Sequence, residues 1–84
     1  MNIEVRMFMK YREFLPPNSS NGKVTVTLKE GSTFSDLMAL LAVPMDEPKL
    51  VVINGISQGV SVKVNQATLK DGDIVAVFPP AGGG

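Results

Sequence analysis

Only one stretch of this chain carries a helical period, and segments that alternate apolar and polar residues bracket it on both sides. Thr33 opens it as an N-cap, with Asp36 three residues on to answer the free backbone amides and the positive helix end. Phe34, Leu37, Leu40 and Leu41 are expected on its apolar face. Val43-Pro44 is expected to close it, because proline disfavours the α conformation in the residue before it. About ten residues at 1.5 Å each give a helix of about 15 Å, enough to cross a small sheet once. With one such helix, the rest of the core must come from strands.

Ile3, Val5, Met7 and Met9 recur at every second position, with Glu4, Arg6, Phe8 and Lys10 between them, which predicts a half-buried first strand. Tyr11 to Leu15 predicts one helical turn stopped by Pro16-Pro17, and Asn18 to Gly22 a hairpin loop. Lys23 to Leu28 then predicts a second strand with Val24, Val26 and Leu28 inward. After the helix, Leu50 to Ile53 read as a compact strand closed by the Asn54-Gly55 turn, and Val60, Val62 and Val64 as a short edge strand. The Leu69 to Asp73 turn feeds a last strand from Ile74 to Phe78. The expected fold class is α+β, a mixed sheet packed on one main helix. Residues 1–78 form the expected domain and residues 79–84 a flexible tail.

That last strand is apolar on both sides, with Val75 and Val77 on one and Ile74, Ala76 and Phe78 on the other. One helix buries only one face of a sheet. The outer row, joined by Phe8, is therefore expected to form a patch covered by a partner protein. The alternative is a central strand whose outer row is covered by loops.

Composition removes most chemistry from the chain itself. Cys and His are absent, which excludes thiolate nucleophiles, imidazole bases and zinc sites built on those ligands. Eight basic and eight acidic residues give zero net charge, so no nucleic acid and no acidic membrane is expected as a partner. The first residues alternate rather than forming a signal peptide, and no apolar run approaches the roughly 20 residues of a bilayer span. A cytoplasmic location is expected. With 84 residues, the domain sits near the lower size for a core without disulfide or metal.

The sequence ends Phe78-Pro79-Pro80-Ala81-Gly82-Gly83-Gly84. Glycines leave the last peptide units without side chains, so this tail suits a channel too narrow for other residues. The prolines aim it outward, and six extended residues reach about 20 Å. A frayed terminus has the same composition.

From Leu69-Lys70-Asp71-Gly72-Asp73 through Phe78-Pro79-Pro80 to Gly83-Gly84, the chain resembles the C-terminal signature of the β-grasp (ubiquitin-like) sulfur carriers, above all the small subunit of molybdopterin synthase. The first strand, the Tyr11 to Leu15 turn and the helix from Thr33 fit the same family. Ile74 departs from it, as relatives are often polar there, and the Gln58 to Gln66 stretch is longer than usual.

The resemblance implies a sulfur-carrier subunit without catalytic side chains of its own. A ubiquitin-activating-type adenylating enzyme would join the Gly84 carboxylate to AMP from ATP, and a sulfur donor protein would convert it to a thiocarboxylate. The large subunit of molybdopterin synthase would then receive the sulfur for molybdenum cofactor synthesis. Gly84 is the expected reacting residue, Gly83 and Gly82 thread the tail, and Phe78, Phe8, Ala76, Ile74, Pro79 and Pro80 face the partner. No metal and no cofactor are expected on the chain itself. A ubiquitin-like modifier conjugated through Gly84, a carrier for thiamine, cysteine or tungsten-pterin synthesis, and an interaction module with an inert end remain open. Asp46-Glu47 is expected as a solvated loop, Asp71 and Asp73 as turn formers and Tyr11 as a packed aromatic rather than an acid or base.

Overall fold

The computed structural model describes residues 1–59 and 62–80. Five strands, β1 (Asn2–Met7), β2 (Lys23–Thr27), β3 (Leu50–Ile53), β4 (Ile56–Gly59) and β5 (Ile74–Phe78), form one sheet in the order β2-β1-β5-β3-β4. β1 and β5 run parallel and the other neighbours antiparallel, so the first and last strands meet at its centre. The helix α1 (Phe34–Leu40) covers one face, and two 3₁₀ segments, Met9–Phe14 and Val62–Gln66, fill the connections. This is the expected α+β mixed sheet on one main helix.

The period-2 pattern decides which face is covered. Ile3, Val5 and Met7 from β1, Val24 from β2, Val51 from β3, and Val75 and Val77 from β5 are buried in one cluster with Phe34, Leu37, Met38 and Leu41. The helical face differs from the expected one. Leu40 is 55 % exposed, while Met38 is fully buried. Phe34, Leu37, Met38 and Leu41 follow the i, i+3, i+4, i+7 stripe of a core-facing helix, and Leu40 lies off it.

The start of α1 is as expected. The Asp36 amide donates to Thr33 Oγ1 (3.3 Å) and the Thr33 amide donates to Asp36 Oδ2 (2.8 Å), a reciprocal capping box. Its end comes earlier, before Val43-Pro44. Ala42 turns left-handed (φ 58°), its amide donates to Ala39 O (3.2 Å), and the Val43 amide donates to Met38 O (2.9 Å). That pair of bonds is the Schellman termination. The helix is seven residues rather than about ten.

Two strand expectations are corrected. β1 stops at Met7: the Phe8 amide still donates to Val77 O (3.1 Å) as the last rung of the parallel ladder, and Met9 then leaves the extended conformation at φ 56° to start the first 3₁₀ segment. Met9 is 74 % exposed and not part of the core row. The edge strand is β4, earlier than the valine pattern placed it. Asn54 (φ 52°) and Gly55 (φ 81°) form a two-residue turn with both residues left-handed, which fixes Ile56 opposite Ile53. Val62 and Val64 belong to the second 3₁₀ segment, where Val64 is buried, and Val60 lies outside the described residues.

The segment leading to β5 is tied to the rest of the molecule. The Phe34 amide donates to Ala67 O and the Leu69 amide donates to Ser32 O, both at 2.9 Å, which fixes it to the helix start. Asp71 Oδ1 accepts the Asn2 amide (2.7 Å), and Asp73 Oδ2 accepts the Lys70 amide (2.8 Å) around Gly72 at φ 87°. The two aspartates shape the turn, as their spacing suggests. Among the described residues, no helix is long and apolar enough to cross a membrane.

Candidate functional site

Because β5 lies between β1 and β3, its outward side chains stand in the middle of the uncovered face. Val75 and Val77 are fully buried under α1, whereas Ile74, Ala76 and Phe78 are half-buried on the opposite side. The register sets Leu50 opposite Phe78 and Val52 opposite Ala76, so two β3 residues extend the apolar row. Both are half-buried, and neither was singled out in the sequence. The signal was available: β3 is apolar at four consecutive positions, so it has the same two-sided character as β5.

Phe8, directly after β1, completes the face. Its amide bond to Val77 O holds the backbone beside the end of β5, and its ring stacks on Phe78 with centroids 4.2 Å apart and planes 7° from parallel. Stacked aromatic pairs contribute about 0.5–1.5 kcal/mol beyond the area they bury. Phe8 nevertheless remains 37 % exposed. The structure thus brings Phe8, Ile74, Ala76 and Phe78 together as expected. Pro79 and Pro80 follow directly and are half-buried. Gly82, Gly83 and Gly84 lie outside the described residues.

A second cluster occupies the first 3₁₀ segment and the loop before β3. Tyr11 is fully buried, and its hydroxyl lies 3.3 Å from Glu47 Oε1 and 3.4 Å from Pro48 O. Burial, then the Glu47 charge and hydrogen bond, raises its pKa above 10.0. Lys49 is only 7 % exposed and donates from Nζ to Pro44 O and to Glu47 O (2.8 Å). Burial lowers its pKa, opposed by the charges of Glu47 and Asp46 and reinforced by Lys10. Lys10 reaches Glu47 at 3.4 Å. Asp46 is exposed, as a solvated loop requires, but Glu47 is half-buried and organises this corner. Tyr11 is a packed aromatic, anchored rather than poised for proton transfer. Among the described residues no cluster of acidic side chains has the makeup of a metal site.

These features set an uncovered apolar face directly beside the Phe78-Pro79-Pro80 end of β5. Residues 1–82 match the family model described as Mut7-C ubiquitin. Solved structures share the fold over nearly the whole chain. A Pyrococcus furiosus protein provisionally described as molybdopterin converting factor, subunit 1, is 22 % identical, with TM-score 0.67, over 95 % of this chain and 98 % of its own. SAMP1 from Haloferax volcanii is 21 % identical, with TM-score 0.68, over the full length of both chains. The HVO 2177 protein of the same organism is 27 % identical, with TM-score 0.70, over all of this chain and 87 % of its own. No curated protein matches the chain significantly. A five-stranded mixed sheet gripping one helix, the similarity to these structures and a family match reaching into the glycine tail lead to one assignment: the chain has the ubiquitin-like β-grasp fold and belongs to the Mut7-C ubiquitin family.

Proposed function

We propose that this protein is a sulfur carrier that works through the carboxylate of Gly84. An ionised carboxylate, with a pKa of about 3.5, is a poor acyl donor and must first be activated. In this reading an adenylating enzyme of the ubiquitin-activating type binds the outer face. The Gly84 carboxylate attacks the α-phosphorus of ATP and releases pyrophosphate. Sulfide delivered by a donor protein then attacks the acyl carbon, a C–S bond forms, the C–O bond to AMP breaks, and Gly84 becomes a thiocarboxylate. The acceptor is a pterin precursor held by the large subunit of a molybdopterin synthase. Gly83 and Gly82 keep the path narrow, and Pro79 and Pro80 direct it. The observation that carries this reading is the apolar outer row of β5, capped by the Phe8–Phe78 stack immediately before Pro79. The absence of Cys and His from the chain fits a protein whose chemistry is supplied by partners. The shared fold with a protein described as a molybdopterin converting factor subunit adds support.

A second reading, a ubiquitin-like modifier joined to lysines of other proteins, is favoured by the family's ubiquitin description. Carriers for thiamine, cysteine or tungsten-pterin synthesis use the same activated tail. Intact mass spectrometry of the purified chain, before and after incubation with its adenylating enzyme, ATP and a sulfur donor, separates the readings. The first spectrum checks that Gly84 ends the chain. Exchange of oxygen for sulfur at Gly84, followed by transfer to a pterin precursor, is the expected result. Isopeptide conjugates without sulfur transfer select the modifier. Neither adenylate nor thiocarboxylate, with an enzyme active on another carrier, overturns the proposal. Gly83→Val is expected to fold normally and to lose transfer.

A further inference from the structure

Beside the apolar face lies a groove lined by Arg6, Phe8, Met9, Arg12, Gly22 and Lys23 among others, with a volume of about 270 Å³. Three cations border it, and among the described residues no carboxylate side chain lines it, in a chain whose net charge is zero. Arg6 is engaged by Glu4. Arg12 and Lys23 are exposed, and neither has an ion-pair partner among the described residues.

Two left-handed backbone turns contribute residues to its lining. The hairpin turn places Asn21 (φ 53°) and Gly22 (φ 78°) in the left-handed region, and the Arg12 guanidinium lies against Gly22. A methyl group at Gly22 would stand 3.7 Å from Arg12 Nε and 3.4 Å from Met7 O. Met9, an unbranched residue held at φ 56°, presents its exposed thioether at the rim. A non-glycine residue in this region carries a conformational cost of about 1–3 kcal/mol, a pattern that clusters at binding sites. The lining thus combines cationic and apolar side chains, and it shares Phe8 with the uncovered apolar face.

We infer that this groove receives acidic side chains of the adenylating enzyme seated on the Phe8–Phe78 face, with Arg12 and Lys23 as their counter-charges. This rests on the docking face of the proposed function and adds its electrostatic half. Its place beside Phe8, which remains exposed on the apolar face, puts it within reach of side chains of a protein seated on that face. Charges at such a rim act mainly by steering the encounter, so their effect appears in the association rate and its salt dependence.

The test is stopped-flow association of the full chain with its purified adenylating enzyme across a range of ionic strength. Arg12→Glu/Lys23→Glu is expected to lower kon about tenfold at low salt and to flatten its salt dependence, with little change in koff. Arg12→Gln/Lys23→Gln, which avoids new repulsion, is expected to fall between this variant and wild type. Circular dichroism confirms that each variant is folded. If both double variants keep the wild-type kon and salt dependence while Phe78→Glu abolishes binding, the groove inference is overturned and the docking face stands. If Phe78→Glu also leaves binding intact, the docking face is wrong and the groove inference falls with it. Saturable shifts of the Arg12 and Lys23 resonances on adding AMP alone, at the affinity of the complex, overturn it in favour of a nucleotide.

Discussion

Ala42 occupies the position where helices of this termination usually carry glycine. An L-residue in the left-handed region costs about 1–2 kcal/mol, and glycine gives back about 0.4–1 kcal/mol of that through the freer unfolded chain. Ala42→Gly is therefore expected to stabilise the domain by about 0.5 kcal/mol, a rise in Tm of about 2–4 °C in calorimetry. Tyr11 and Lys49 give the corner around Glu47 an alkaline signature. Tyr11 has a raised pKa, so its contribution is complete below the unfolded value of 10.0 and is lost as pH climbs through the folded value. Lys49 has a lowered pKa and works in the opposite direction: its burdened charge is shed in the folded state first, so stability rises with pH up to 10.5. Tyr11→Phe removes only the first contribution. Relative to its value at about pH 8, its urea midpoint is expected to fall less than that of wild type above pH 10.

At the level of elements, what could be read in advance was whatever depends on neighbours in sequence. The Thr33 and Asp36 capping box formed as their spacing requires, and Thr33→Ala is expected to cost about 0.5–2 kcal/mol, measured by urea denaturation. The alternation in β1 and β5 placed Val5, Val75 and Val77 correctly. Met9 was misplaced because strand length is set by the partner. The ladder's last rung is the Phe8 amide to Val77 O, and the left-handed turn at Met9 (φ 56°) then takes the chain off the sheet, which no local pattern records. Leu40 and Val62 are different cases. The stripe with Met38 was present in the sequence, and leucine's greater hydrophobicity obscured it. The Asn54-Gly55 pair already demanded that the returning strand begin at Ile56, ahead of the valines. Leu50 and Val52 joined the outer face through register, and register between strands far apart in sequence is a property of the assembled sheet.

For the molecule as a whole, the division of the sheet into a face gripping α1 and an uncovered apolar face decides what a substitution does. Phe78→Glu adds a charge on the uncovered side, with Val75 and Val77 still packed under the helix. It is expected to abolish binding of the adenylating enzyme in calorimetric titration while far-UV circular dichroism stays native. Unfolding instead would show that Phe78 is part of the core. The uncovered apolar face was legible in outline because β5 is apolar on both sides, and the basic groove beside it was not, because Arg12 from the first 3₁₀ segment and Lys23 from the start of β2 meet only after the hairpin closes. The central position of β5 also has a mechanical consequence. It is bonded to β1 on one side and to β3 on the other, so traction on the chain beyond Phe78 loads both ladders in shear at once and cannot peel them one bond at a time. Any force that draws on the chain beyond Phe78 therefore acts on a strand held on both sides, and the load passes through β1 and β3 into the rest of the sheet.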